Sequence, residues 1–222
     1  MTRREPTPAE VERSISRLTT DLVSSSLVDD QLYPVLNRRA QTTVVTTQTP
    51  VTAASLRAVT YPELYHRQAR ERIFNVVFLD KALLQMSYEW SGRQLIKHRL
   101  AFLPSPDLRE YQAAPELYDE EQQWGDNIDP QSVAVPLRFD YDRNAAGTDH
   151  PAAHLTLGQY LHCRIPVSAP LTPAVFVDFI IRHFYRLPGQ RRLQIDLDLD
   201  HRFELTGTDH QAQLHVRSPG NR

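Results

Sequence analysis

Between Val133 and Pro173 apolar and polar positions alternate in short runs, the two-residue period of an extended chain whose successive side chains point to opposite faces. Val133, Val135, Leu137, Phe139 and Tyr141 share one face, and Arg138, Asp140 and Asp142 share the other. A second run places Leu155 and Leu157 inward with His154 and Thr156 outward. A third places Leu161, Cys163, Ile165 and Val167 inward with His162 and Arg164 outward. Arginine, aspartate and histidine therefore collect on one face of one small sheet.

Elsewhere the period changes. Thr7-Pro8-Ala9-Glu10 starts a helix: threonine caps, proline suits the first helical position and glutamate closes a capping box. Val11, Ile15, Leu18 and Leu22 then form one apolar stripe. L-V-D-D-Q-L-Y-P-V-L-N, from Leu27 to Asn37, reads as a second short helix. The threonine-rich stretch 41–52 reads as an edge strand or a linker. Tyr61 to Arg72 reads as a short helix. From Ile73 to Pro104 the pattern is an antiparallel meander with a turn at Ser91-Gly92. The acidic connection 107–129, with Glu116, Asp119, Glu120, Glu121, Asp126 and Asp129, reads as a functional lid or binding loop, a disordered segment or a short surface helix. Thr172-Pro173 starts a further helix, with Val175, Phe176, Phe179, Ile180, His183, Phe184 and Leu187 at helical spacing and a stop at Pro188-Gly189. The run from Leu193 to Leu199 alternates with Asp196, Asp198 and Asp200 outward, and Gln211 to Arg217 reads as a last strand.

Adjacent strands with helices gathered at the ends predict an α+β fold: an antiparallel meander sheet, an N-terminal helical segment and a helix packed on the sheet. The expected division is a segment 1–55, helix plus threonine-rich edge or linker, and a single α+β domain over 56–222.

Composition narrows the function classes. The chain has 222 residues and a formal net charge of −2, which argues against coating nucleic acid or membrane by bulk charge. A lone cysteine, Cys163, cannot close an internal disulfide, which favours a reducing compartment. No apolar run follows the arginines of M-T-R-R-E-P, and none reaches the length of a membrane span, so the expected location is the cytoplasm, with no membrane partner. P-loop, dinucleotide, nucleophile-elbow and C-x-x-C motifs are missing, and no cofactor is expected.

The candidate chemistry lies on the polar face. Histidine titrates near neutrality, a neighbouring aspartate orients it, and an arginine fork matches phosphate or carboxylate. His150, His154 and Asp140 are the candidate catalytic residues, and Arg138, Arg164 and His162 the candidates for binding phosphate or substrate. The competing reading of the same residues is a solvated face with cross-strand salt bridges. A metal set built on His150, His154 and Cys163 or Asp142 is weakened by Pro151 and by the strand pattern, and no metal is expected.

H-P-A-A-H-L-T-L-G, C-R-I-P-V-S-A-P-L-T-P and F-V-D-F-I-I-R-H-F-Y together resemble a bacterial domain family of unknown function, DUF2290, best over the C-terminal half. That resemblance implies no activity. R-x-D followed by histidines also resembles small toxins of toxin–antitoxin pairs, which carry R-Y-D-N and adjacent histidines; here Tyr141 stands at the asparagine. The leading expectation is a protein of toxin or phage-defence type acting on RNA or another phosphodiester. The alternative is a non-catalytic subunit docking a companion protein from the same operon.

Overall fold

The computed structural model describes residues 4–47, 59–107, 135–145, 147, 150–160, 162–185, 202–206 and 216–218. Helix α1 (Pro8–Ser24) is followed by β1 (Val28–Gln31), β2 (Val35–Arg38) and β3 (Thr42–Thr46). Next come α2 (Tyr61–Arg70), β4 (Val76–Phe78), β5 (Leu83–Ser91) and β6 (Gln94–Leu103). After β7 (Leu137–Asp142) a single 3₁₀ turn leads to β8 (Ala153–Leu157), β9 (Ile165–Pro166) and α3 (Pro173–Phe184). The fold is α+β.

Among the described residues the nine strands form one antiparallel sheet in the order β1-β4-β5-β6-β7-β8-β9. Strand β3 joins the far end of β5 and carries β2 outside it. Strands β5 and β6 form the long central hairpin, and Gly92 turns it with φ +59°, a conformation glycine adopts without penalty.

One face of the sheet carries the core. Val11, Ile15, Leu18 and Leu22 of α1 and Phe176, Val177 and Ile180 of α3 pack there with Tyr88, Trp90, Leu100, Phe139 and Leu155. The predicted stripe of α1 is the buried one. The Glu10 carboxylate accepts both the backbone N–H and the hydroxyl of Thr7, at 2.9 and 2.7 Å. Helix α1 and strand β3 enter the same hydrophobic cluster as β5–β8 and share a core with them. A smaller apolar cluster on the opposite face packs Tyr65 of α2 against Val77, Leu83 and Leu103.

The helix expected from Leu27 to Asn37 is instead the pair β1 and β2. Tertiary pairing overrides the local pattern: Leu32 donates to the Asn75 carbonyl, β1 pairs with β4 and β2 with β3. The residues 108–129 of the acidic connection, the Asp196/Asp198/Asp200 ladder, and Val133, Leu161 and Leu187 lie outside the described residues. So does the last predicted strand, apart from Val216 and Arg217; Val216 bridges Val167.

Candidate functional site

Register places one polar row across three strands, ended by a proline on a fourth. Arg99 on β6 stands opposite Asp140 on β7, which stands opposite His154 on β8, which faces Pro166 on β9. The next row toward one sheet end holds Ala101, Arg138 and Thr156; the row on the other side pairs Lys97 with Asp142, whose charged atoms lie 3.0 Å apart.

Asp140 is the hub. Its Oδ1 accepts the Nε–H of Arg99 at 3.0 Å, and its Oδ2 accepts the Nε–H of Arg138. Burial works to raise this carboxyl, but the charges and hydrogen bonds of the two arginines outweigh it and hold it below the ordinary carboxylate value. Asp140 is therefore ionised at neutral pH, although only 9 % exposed. Both arginines use Nε on the carboxylate. Among the described residues their terminal nitrogens make no further hydrogen bond, and the two side chains are 20 % and 28 % exposed.

His154 is held from elsewhere. Its Nδ1 lies 3.1 Å from the Pro151 carbonyl, and a carbonyl only accepts, so Nδ1 carries the proton and the neutral ring has its lone pair on Nε2. That Nε2 lies 3.8 Å from Asp140, beyond hydrogen-bonding distance, so the carboxylate acts on it through charge. Burial holds the His154 imidazole below its ordinary value, against the opposing pull of Asp140 and of the Pro151 carbonyl. His150 meets it edge-on, with ring centroids 4.9 Å apart. The His150 Nδ1 is enclosed and, among the described residues, has no hydrogen-bond partner.

The structure thus brings Arg138, Asp140, His150 and His154 together. His162 is exposed on the turn before β9. Arg164 is half-buried and immediately precedes the paired residue Ile165, and among the described residues it makes no ion pair. His154 and Thr156, expected to face solvent, are buried at 5 % and 8 % exposed. Alternation assigns a side chain to a face of the sheet; it does not say whether that face is covered. Cys163 receives the Leu157 N–H at 3.4 Å on its sulfur. Among the described residues no group of three metal-ligating side chains converges, and no helix is long and apolar enough to cross a membrane.

Two residues were missed. Arg99 is the second arginine of the clamp; its signal was the K-H-R alternation inside β6, which puts Lys97 and Arg99 on the face opposite His98. His98 lies directly behind the row, buried between Tyr88 and Tyr141, and its Nε2 accepts the Leu171 N–H at 3.2 Å. Burial lowers its pKa to about 3, so it stays neutral. A cleft of about 260 Å³ lies elsewhere, between α2, β1 and β4, and holds none of the predicted residues. Its cations are already paired, Arg72 with Asp30 and Lys81 with Asp29.

A family model described as an uncharacterized conserved protein, DUF2290, matches residues 27–217. No curated protein and no solved structure matches the chain.

Proposed function

The chain belongs to the uncharacterised DUF2290 family, and we propose that the Arg99–Asp140–Arg138 row with its two histidines binds a phosphodiester and transfers protons at it. One observation carries this reading: a single buried carboxylate holds two arginines by Nε and, among the described residues, leaves the terminal nitrogens of both without a hydrogen-bond partner. The three groups sum to one positive charge. An outer edge of two parallel N–H donors matches two phosphate oxygens.

The chemistry follows from what surrounds that grip. A base removes the proton of an attacking hydroxyl, the RNA 2′-hydroxyl being the nearest nucleophile in such a substrate. Its oxygen bonds to phosphorus, the bond from phosphorus to the 5′-oxygen breaks, and an acid returns a proton to that oxygen. Arg99 and Arg138 stabilise the charge spread over the phosphoryl oxygens. His150, the more accessible histidine, meets the substrate, and His154 lies one layer beneath it. His162 and Arg164, on the turn into β9, extend the grip at the Arg138 end. The toxin or phage-defence setting belongs to the same proposal and depends on finding such an activity.

Purified protein incubated with mixed RNA and DNA in the presence of chelator tests the reading. Cleavage that persists in chelator and is lost in both His150→Ala and His154→Ala is the expected result. No cleavage, alone or with a companion protein, would overturn it.

A non-catalytic role with a companion protein rests on a different observation. Strand β2 is an outer strand of the described sheet, and Tyr33 and Val35 beside and on it are exposed. Co-purification of one defined companion that is lost on changing Val35 to aspartate, with no nucleic acid bound, would favour that role.

A further inference from the structure

Tyr160 is 76 % exposed, more than any other large hydrophobic side chain among the described residues. Its backbone is nevertheless fixed. Gly158 turns the chain with φ +61°, and a Cβ built there would meet the Tyr160 ring at 3.3 and 3.4 Å, so the ring lies directly against the glycine. The Tyr160 carbonyl accepts the Cys163 N–H at 3.2 Å, and the neighbouring Gln159 side chain donates to the Val59 carbonyl at 3.2 Å. A broad aromatic face is thus presented to solvent on a braced turn.

That turn sits at the arginine end of the site. Gly158 N–H donates to the Pro136 carbonyl at 2.7 Å, which places the turn beside the start of β7, two residues before Arg138. With a rise of roughly 3.3 Å per residue and roughly 4.8 Å between strands, Gly158 and Arg138 are separated by about 8 Å. His162 and Arg164 follow on the same turn. An aromatic plate beside a row of cations is the arrangement that binds single strands, in which bases stack on the ring and phosphates follow the charge. Duplex bases are already stacked and offer no free face.

We propose that this site takes single-stranded nucleic acid, with a base stacked on Tyr160 and the adjoining phosphate held by Arg138. The inference rests on the phosphate-binding reading of the arginine row and adds the class of substrate.

Fluorescence anisotropy with a short labelled oligouridylate, and with an abasic strand of equal length, separates the two ideas. Tyr160→Ala is expected to weaken oligouridylate binding by roughly 5- to 150-fold, the range of one lost base stack. Abasic binding should not change, and Tyr160→Phe should retain the wild-type affinity for both strands. If Tyr160→Ala binds oligouridylate as wild type does while Arg138→Ala weakens both strands, the stacking inference falls and the phosphate grip stands. Equal loss on both strands in Tyr160→Ala would also overturn stacking, because the ring would then only support the turn. If the wild-type protein binds neither strand, both ideas fall.

Discussion

Replacing Asp140 with asparagine keeps the side chain's size and removes the one negative charge between Arg99 and Arg138. One oxygen becomes an amide donor facing a guanidinium Nε–H, so one hydrogen bond turns into a donor–donor contact. Hydrogen bonds to charged groups each contribute about 1.5–3 kcal/mol, and breaking a fully buried ion pair costs about 3–5 kcal/mol. The arginine side chains remain 20 % and 28 % exposed, so water offsets part of that loss. Asparagine also keeps one acceptor. A destabilisation of about 2–4 kcal/mol follows, or a Tm lower by about 4–16 °C for a chain of this size.

The pH dependence has a definite sign. The folded-state pKa of Asp140 is depressed, so its contribution is complete above the ordinary value of 3.8 and disappears as pH falls through the depressed value. Urea unfolding followed by circular dichroism should therefore show a constant gap between wild type and Asp140→Asn above pH 3.8, closing in stronger acid. A gap below about 0.5 kcal/mol at every pH would refute the hub role and leave the row as surface decoration.

Three further outcomes are expected. His98 is buried neutral with a pKa lowered to about 3 from 6.5, so its contribution to stability is complete above pH 6.5 and falls as pH drops from there toward 3; His98→Gln should flatten that limb of the unfolding free energy. Asp80 behaves oppositely. Burial raises its pKa from 3.8 to about 6, so its favourable contribution, complete below 3.8, is lost as pH rises through 6, and Asp80→Asn should gain on wild type across that range. About 3 kcal/mol is the ceiling of that gain, the rise from 3.8 to about 6 taken at about 1.4 kcal/mol per unit, and the carboxylate's acceptance of the Tyr185 hydroxyl at 3.1 Å works against it. Ile15→Ala on α1 should cost about 2–5 kcal/mol in a single unfolding transition; an unchanged main transition would instead mark residues 1–55 as a separate unit.

Legibility in the sequence followed the range of the interactions concerned. Helix α1, the β5–β6 hairpin and the inward face of β7 are each set by spacing within one short segment, and Val11, Ile15, Leu18, Leu22, Leu137, Phe139 and Tyr141 are buried as expected. The helix expected over residues 27–37 gives way to strands because their conformation depends on distant partners: Asn75 and β4 for one strand, β3 for the other. Arg99 was overlooked for a related reason. It lies 41 positions before Asp140, and only the β6–β7 register brings the two together. The burial of His154 was likewise not readable, since the Pro151 carbonyl and the His150 ring reach it through a turn rather than through alternation.

The central claim is that two guanidinium forks, set by one carboxylate, bind a phosphate. The affinity of a short single-stranded RNA for the Arg99→Lys/Arg138→Lys double variant at fixed low salt tests it most directly. Lysine preserves the charge and abolishes the fork. The expected result is a loss of affinity of about tenfold or more with the salt dependence little changed. Wild-type affinity in the double variant would contradict it, because any cation at these two positions would then serve equally well.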